Sequence, residues 1–451
     1  MSLPRMYLGS LKNFNKKGGS IMKFRINLIT VFIVFVVTLM VAGIPSLIAQ
    51  PKQQFTEWGW PQPYEKVSEK SIKYLKEKGW WPLKIAYQIE PQTFLMVKKG
   101  FLAARGIEAE AVGFLSGPPM LEAFAGKRIQ AVNAGQFPTT TMIDKGLDII
   151  GISHLHIGWR HGTYVPIDSP YKKLTDLKLA KLGRPAIIGG PVGTSGEFYF
   201  RASCKAQGIE IGKDVIIKDM SPPDAALMPK GIDAFYGWEP WFSVFPVATN
   251  KNARIIDEDW PYSIYLGYWS VPRELLEVPD VIQALTDAYV EAVLLLRYDV
   301  KAATDFCIAE GHAIQKGFPP GTVLLFNHMA AFNKPTWTLI YPDFETKELE
   351  GVAKFLSETG RTRTLVTSER YKAYYRPEFV ANTFKKLGWA IPEVPPLIPK
   401  GWKGEVGKPP YPEYYYFPAA TELGKEIKLH PFPEAGDLVA PWYYKGKLYK
   451  P

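Results

Sequence analysis

Cysteine is almost absent from this 451-residue sequence, which contains only Cys204 and Cys307. Each falls within a predicted amphipathic helix, and the two helices belong to different parts of the chain. An oxidising compartment would permit a bridge, but we expect two buried thiols, because lone helical cysteines are commonly buried and free. No cysteine follows the apolar segment near the N-terminus, and this excludes a lipoprotein anchor.

A large excess of basic residues is also missing once the N-terminal segment is set aside. The formal net charge is +10, from 54 Lys and Arg against 44 Asp and Glu. Residues 1–49 contain six of the basic residues and no acidic one, so the remainder has 48 against 44, or +4. This near balance gives no support to nucleic-acid binding.

The N-terminal segment has the layout of a secretory signal. Residues 22–49 combine basic Lys23 and Arg25 with a long apolar core and a small residue at Ala49. This pattern predicts export to the periplasm or another extracytoplasmic space, with cleavage near Ala49. An uncleaved membrane anchor is the alternative, because the apolar run over 28–48 approaches the roughly 20 residues that span a bilayer.

Residues 83–151 pass three times through one short cycle of apolar strand, turn and amphipathic helix. Such alternation predicts an α/β fold with a parallel sheet and helices on its faces. Ligands of these sheets bind at the carboxyl ends of the strands, against helix N-termini. The turns contain no nucleophile–base pair, no phosphate loop and no cysteine, so we interpret them as a binding surface.

A second set of strand–turn–helix cycles over 185–241 predicts a second lobe. Chain crossings near 162–168 and 253–262 would act as a hinge, with the interlobe cleft as the binding site. From Ile391 onward, dense Pro, Gly and Tyr predict an extended arm on the surface. The predicted divisions are a leader with signal peptide at 1–49, an N-terminal extension at 50–82, lobe 1 at 83–163, lobe 2 at 164–254, the return of lobe 1 with C-terminal helices at 255–390, and the Pro/Tyr-rich arm at 391–451.

Six segments appear in the order expected of one family: AYQIEP at 86–91, KKGFLAARGIEAE at 98–110, SGPPMLEAFAGKRIQAVNAG at 116–135, DSPYKKLTDL at 168–177, GTSGEFYF at 193–200 and PPDAALMPKGIDAFYGWEPW at 222–241. With them, the chain resembles the periplasmic substrate-binding proteins of ABC importers for nitrate, sulfonates such as taurine and alkanesulfonates, and bicarbonate. The resemblance implies a type II periplasmic-binding fold, with two lobes that close on a small anion and deliver it to a membrane permease. A related branch makes the thiamine pyrimidine with a cysteine-rich motif, which is absent here.

Several turns that precede predicted helices supply candidate ligand contacts. Their Ser, Thr and Gly residues are either ordinary helix caps, worth about 1 kcal/mol each, or a set of helix ends that converge on a ligand. The resemblance favours the second interpretation. The candidates in these turns are Gln88, Gln92, Thr93, Ser116, Gly117, Gln136, Phe137, Gly193, Thr194 and Ser195.

Trp238 and Glu239 follow a predicted strand and suit a cleft wall, although Glu239 could instead complement a helix dipole. His154 ends the fourth predicted strand and could hydrogen-bond a ligand, and Arg160 could balance an anion. His154, His156 and His161 also raise the question of a metal, but no acidic or cysteine ligand lies near them in the sequence. Since zinc sites need three or four ligands, we expect no metal site.

The sequence therefore predicts a monomeric, non-enzymatic receptor without a cofactor, which captures a small anion for an ABC importer. The favoured ligand is sulfonate-like or taurine-like, with its anionic end on the helix N-termini near Ser116 and Thr194. Glu239 would then face an ammonium group beneath Trp238. The alternative is an exported or membrane-anchored sensor, docking protein or enzyme that uses the same fold.

Overall fold

The computed structural model describes residues 54–258, 262, 264–395, 398, 401–408 and 428–451. The predicted signal and part of the predicted arm lie outside these ranges. Within them, we find no helix that combines the length and the apolar composition needed to cross a bilayer. Both cysteines are buried and free, as predicted.

The first sheet has the strand order β4-β3-β5-β12-β6 in the described part of the chain. Backbone contacts of Ile85 and Ala86 with Ala131 join β3 to the start of β5. Strand β12 runs antiparallel to both of its neighbours, so it returns the chain into an otherwise parallel sheet. The strands are β3 (Leu83–Tyr87), β4 (Ala109–Gly113), β5 (Val132–Gly135), β6 (Ile149–Ile157) and β12 (Leu266–Pro272).

Helices follow these strands at the turns that the sequence marks. Pro91 and Pro118 fall in the first turns of two of them, where a missing N–H costs nothing. An earlier helix is capped by Ser68, whose side chain accepts a hydrogen bond from the backbone of Ser71. The helices are α1 (Glu69–Glu77), α2 (Pro91–Lys98), α3 (Phe101–Ala104), α4 (Gly117–Ala125) and α5 (Gln136–Asp144).

The second sheet has the order β11-β7-β10-β8-β9. Strands β8, β9 and β10 are parallel, whereas β7 runs antiparallel to β10 and β11. The strands are β7 (His161–Pro166), β8 (Ala186–Gly190), β9 (Val215–Asp219), β10 (Ala234–Trp238) and β11 (Ala253–Glu258); the helices are α6 (Leu179–Leu182), α7 (Ser195–Ala206) and α8 (Pro222–Ala226), with a 3-10 turn at Leu174–Leu177 and a π-helix at Val244–Thr249.

The two passages between the sheets are shorter than the sequence indicates. Residues 161–166 and 253–258, expected at or beside the crossings, are themselves paired strands of the second sheet. Tyr164 and Val165 are fully buried there, and this burial holds the segment in the sheet. The chain crosses at 158–160 and again between Glu258 and Leu266.

A helical layer follows β12, packs on the first sheet and contacts the π-helix after β10 of the second sheet. Helix α9 is the longest of this layer among the described residues and is buried along most of its length. Phe245 stacks on Phe318 at 4.0 Å, which joins the π-helix to this layer. The helices are α9 (Pro279–Tyr298), α10 (Val300–Ala309), α11 (Pro320–Ala330), α12 (Pro342–Glu358), α13 (Ser368–Tyr374) and α14 (Pro377–Leu387), with 3-10 turns at Arg273–Glu277, Gln315–Gly317 and Pro335–Thr338.

The two ends of the described chain pack together. Hairpin β1 (Gln54–Phe55)–β2 (Pro61–Gln62) lies against hairpin β13 (Trp442–Tyr444)–β14 (Lys447–Tyr449). Trp60, Trp389 and Trp442 are at most 2 % exposed and form one aromatic cluster. The end of the predicted arm is thus part of a hydrophobic core, because it carries tryptophan as well as proline.

Candidate functional site

A small cavity of about 50 Å³ lies where the two sheets meet. The first sheet and its helices provide most of the wall, and the two crossings, the turn after β8 and the end of β10 provide the rest. The lining residues are Gln88, Ile89, Glu90, Gly117, Pro118, Gly135, Pro138, Leu155, His156, Trp159, Gly193, Thr194, Ser195, Trp238 and Tyr265.

Among the described elements, four helices begin at this cavity. Glu90 precedes α2, Gly117 opens α4, Gly135 precedes α5 and Thr194 precedes α7. Helices α2, α4 and α5 follow strands of the first sheet, and α7 follows a strand of the second. The N–H groups and the dipoles of helix N-termini attract negative charge, so the four helix ends contribute partial positive charge to the cavity without a cationic side chain.

Aromatic rings form one side of the cavity. The ring of His156 stacks on Trp159 with centroids 4.1 Å apart and on Tyr265 at 5.3 Å. Burial lowers the pKa of His156 well below its ordinary value, so this imidazole is neutral at pH 7. The lining residues of the described chain include neither Lys nor Arg. The polar character of the cavity therefore comes from helix ends, rings and one carboxyl group.

That carboxyl group belongs to Glu90, which is 3 % exposed. Its Oε1 accepts a hydrogen bond from the backbone N–H of Gln88 at 3.2 Å and another from Nδ2 of Asn133. Burial nevertheless raises the pKa of Glu90 to about 7. The side chain can thus enter the cavity either as a carboxylate or, after protonation, as a hydrogen-bond donor.

The second sheet contributes a Ser–His contact. Nε2 of His161, on β7, lies 2.9 Å from Oγ of Ser195, in the first turn of α7. His161 also lies beside Tyr265, with ring centroids 5.5 Å apart. The contact fixes the direction of the Ser195 hydroxyl in the cavity wall.

Six of the residues proposed from the sequence line the cavity: Gln88, Gly117, Gly193, Thr194, Ser195 and Trp238. They share one property, a position in a turn directly after a strand or at a strand's carboxyl end. Ser116, immediately before Gly117, is half-buried and lies at the N-cap position of α4, where its side chain makes no capping hydrogen bond, and it does not line the cavity.

Other proposed residues at the same turns point into the protein. Gln92 donates a hydrogen bond to the carbonyl of Ala330 at 2.9 Å. Thr93 is fully buried beside Asn133, with its hydroxyl 3.4 Å from Nδ2. The side-chain amide of Gln136 donates a hydrogen bond to the carbonyl of Ile264 and accepts one from the backbone N–H of Leu266. Phe137 belongs to the hydrophobic core.

The remaining three proposed residues are engaged elsewhere. His154 lies 2.7 Å from Glu345 in a fully buried pair. Arg160 forms an ion pair with Glu258 at 3.0 Å. The carboxyl of Glu239 accepts hydrogen bonds from the hydroxyl of Ser243 and the backbone of Val244, and burial raises its pKa to about 8. The structure thus brings Glu90, not Glu239, to the cavity.

Sequence reasoning missed Glu90, His156, Trp159 and Tyr265 as lining residues. Glu90 belongs to the AYQIEP segment at 86–91 and directly precedes α2, so its place in a turn after a strand was the one available signal. Trp159 and Tyr265 come from the two crossings, which the sequence placed a few residues away. In the described ranges no group of His, Cys, Asp and Glu residues is arranged to hold a metal ion.

The fold is that of periplasmic binding proteins. The chain is similar to the alkanesulfonate-binding protein SsuA from Xanthomonas axonopodis pv. citri bound to MOPS, with a TM-score of 0.53, 20% identity, and coverage of 64% of this chain and 96% of that one. It is also similar to the nitrate-binding protein NrtA from Synechocystis PCC 6803, with a TM-score of 0.54, 14% identity, and coverage of 67% and 88%. A third similar structure is the aliphatic sulphonate binding protein SsuA from Escherichia coli, with a TM-score of 0.51, 18% identity, and coverage of 64% of this chain and 96% of that one.

No protein-family model and no curated protein matches the chain. At these identities the solved structures establish the shared α/β fold. The expected fold class, inferred from the ordered segments of the sequence, is therefore confirmed.

Proposed function

We propose that this protein is an exported solute-binding protein that captures a small organic anion, sulfonate-like or taurine-like, for a membrane permease of an ABC importer. The observation that carries the proposal is the convergence of four helix N-termini on one cavity between two sheets. The shared fold supports it, because similar proteins are described as binding alkanesulfonate or nitrate.

The anionic end of the ligand would lie against Gly117 and Ser195, where α4 and α7 begin. Helix N–H groups can bind an oxyanion without a counter-charge from Lys or Arg. Trp238, at the end of β10, would cover the ligand from the second sheet. This arrangement would couple ligand capture to contact between the two sheets.

Glu90 determines which anions the cavity accepts. When its carboxyl is ionised, it repels a plain anion but attracts the ammonium group of a zwitterion. When the carboxyl is protonated, a plain anion fits and can accept a hydrogen bond from it. The role that the sequence gave to Glu239 is therefore transferred to Glu90.

Native mass spectrometry of protein purified without added ligand would identify a carried-over molecule. Calorimetry with methanesulfonate, taurine, nitrate and bicarbonate at pH 6 and pH 8 would then test which class of anion the protein binds. Trp238→Ala should weaken binding at least tenfold, whereas Trp81→Ala, a half-buried control outside the cavity, should leave it unchanged. Absence of binding to every anion at both pH values would overturn the proposal.

The contact between His161 and Ser195 supports a second candidate, an enzyme that cleaves a small ester in this cavity. A serine hydroxyl beside an imidazole at a helix N-terminus has the parts of an acyl-transfer site. In the reaction, Oγ of Ser195 would attack the ester carbonyl, its proton would pass to His161 and then to the departing alcohol, and water would release the acid. Turnover of p-nitrophenyl acetate that is lost in Ser195→Ala would favour this candidate. A ligand released unchanged from the wild-type protein would favour the receptor.

A further inference from the structure

The turn that carries Glu90 into the cavity is held by a segment of the helical layer. Ile89 and Glu90 lie between β3 and α2, and the segment that contacts them, residues 312–315, lies between α10 and α11. The side-chain amide of Gln315 donates a hydrogen bond to the carbonyl of Ile89 at 2.7 Å. Because the two residues are 226 positions apart, this restraint on the turn depends on tertiary packing and not on the turn itself.

Gln315 is fixed in turn by a fully buried network of polar side chains. Its Nε2 donates to Oδ1 of Asn327, on α11, at 2.8 Å, and its Oε1 accepts a hydrogen bond from Nδ2 of Asn327 at 3.2 Å. The same Nδ2 also donates to Oγ1 of Thr304, on α10, at 3.0 Å. Rotation of the Gln315 amide would leave buried polar atoms unpaired, which is costly. The network therefore determines which end of this amide faces the turn.

His312 contacts the next carbonyl of the same turn. Its Nδ1 accepts hydrogen bonds from the backbone N–H groups of Ile314 and Gln315, at 3.4 and 3.2 Å, so the ring proton is on Nε2. Nε2 lies 3.5 Å from the carbonyl oxygen of Glu90, a longer and weaker contact than that of Gln315. Burial lowers the pKa of His312 to about 3, so the ring stays neutral while Glu90 titrates.

We propose that Gln315 is a positioning residue that sets the place of the Glu90 carboxyl in the cavity, with His312 as its weaker partner. The inference rests on the proposed function, in which Glu90 selects between plain anions and zwitterions. The carboxyl is tied to Asn133 on its own sheet, so the backbone of the turn is the part that the helical layer controls. If the carbonyl of Ile89 loses its donor, the turn can move and the carboxyl gains access to water. Glu90 then titrates more like an ordinary carboxyl, and the preference between the two kinds of ligand declines.

The first test follows the titration of Glu90 in the ligand-free protein, by carbon NMR of labelled glutamate with Glu90→Gln to assign the signal. Gln315→Met keeps the length of the side chain but has no donor for Ile89, and it should move the titration to lower pH. Thr304→Val is the matched control, because it removes a hydroxyl from the same buried network and keeps the bond from Gln315 to Ile89. The titration should be unchanged in that variant.

Other ionisable groups near Glu90 do not interfere with this titration. Among the described residues they are tyrosines and histidines, and burial raises the pKa of the tyrosines and lowers that of the histidines, so all of them stay neutral between pH 5 and pH 8. They are Tyr87, Tyr265, Tyr289, His156 and His312.

The second test is the selectivity of binding, measured by calorimetry with methanesulfonate and taurine at pH 6 and pH 8. In the wild type, the dissociation constant of methanesulfonate relative to that of taurine should rise between the two pH values. Gln315→Met should reduce the ratio at pH 8 several-fold, whereas Thr304→Val should preserve it. His312→Phe keeps a ring between Tyr87 and Phe94, whose centroids lie 4.7 and 4.8 Å from that of His312, and should cause a smaller change in the same direction.

The outcomes separate the positioning role from the proposed function. An unchanged titration of Glu90 in folded Gln315→Met would overturn the positioning role, and so would an equal shift in Thr304→Val, while the receptor proposal survives. If Gln315→Met does not fold, His312→Phe decides, and an unchanged titration in that variant overturns the inference. If the wild type binds no anion at either pH, the proposed function fails, and the titration of Glu90 still tests whether Gln315 positions it.

Discussion

Nη2 of Arg361 lies 2.6 Å from Oε1 of Glu197, and this ion pair joins the loop after α12 to the first turn of α7. The other oxygen of Glu197 accepts a hydrogen bond from the backbone N–H of Gly193 at 2.9 Å. Glu197 is fully buried and also pairs with Arg201. A residue of the helical layer is thus connected, through one carboxylate, to a loop that forms the cavity wall.

We expect this connection to restrain the opening of the cleft. Arg361→Ala should increase the radius of gyration of the ligand-free protein in X-ray scattering and raise the ligand dissociation rate several-fold. Lys354→Ala is the control, because it removes an exposed ion pair with Glu358 within α12. It should change neither the radius of gyration nor the dissociation rate. Unchanged scattering in Arg361→Ala, together with no compaction of the wild type on ligand binding, would contradict a hinged cleft.

Anion binding should depend on pH through Glu90. Below its pKa of about 7 the Glu90 carboxyl is protonated, and a plain anion can bind beside it. Above that pH, Glu90 must take up a proton before a plain anion binds. The dissociation constant for methanesulfonate is therefore expected to rise about tenfold per pH unit above pH 7, whereas that of taurine should not. Glu90→Gln should abolish the rise for methanesulfonate and weaken taurine at pH 8. Parallel pH profiles for the two ligands would exclude Glu90 as the selecting group.

The stability of the protein should decline as the pH rises. Burial raises the pKa of Glu239 to about 8 in the folded state, so folding favours its protonated form. Its contribution is complete below its unfolded pKa near 4.5 and is lost as the pH rises toward 8. Thermal melting of Glu239→Gln should show a shallower decline between pH 5 and 8 than the wild type. An identical slope would show that Glu239 is already ionised in the folded protein over this range, and would contradict the raised pKa.

The buried ion pair of Arg105 and Glu291 should be sensitive to removal of one partner. The groups lie 2.8 Å apart and are at most 2 % exposed, and Glu291 also accepts hydrogen bonds from Trp58 and Tyr64. Glu291→Ala should lower the free energy of unfolding by about 3–5 kcal/mol, because the guanidinium stays buried without its counter-charge. Removal of the exposed Glu274, paired with Lys78, should cost less than about 1 kcal/mol in urea denaturation.

The sequence predicted the parts of the fold that depend on local pattern. Apolar strands followed by Gly- or Pro-rich turns identified β3, β5 and β8 and the helices after them. The dependence on local pattern also explains why the prediction of Glu239 as a cavity residue was wrong. Trp238 and Glu239 are neighbours at a strand end, but successive side chains point to opposite faces, so only Trp238 reaches the cavity. No local signal distinguishes the two.

Side chains from distant segments were harder to predict. Tyr265 meets His156 only because β12 returns beside β6, a pairing across more than a hundred residues. Gln136 occupies a helix start that suits a ligand contact, yet its amide binds the backbone of the second crossing. The turn pattern specifies where helices begin, whereas tertiary pairing decides which side chains those beginnings expose.

The aromatic cluster of Trp60 and Trp442 has a consequence for biosynthesis. The indole N–H of Trp442 donates to the carbonyl of Gly59 at 2.8 Å, across 383 positions of the chain. Contacts between such distant segments form late, after the entropy of closing a very long loop has been lost. A nascent chain therefore lacks this core until Trp442 has been synthesised. Termination before Trp442 would leave Trp60 and Trp389 without this partner and exposed, a state that proteases can recognise before the faulty protein accumulates.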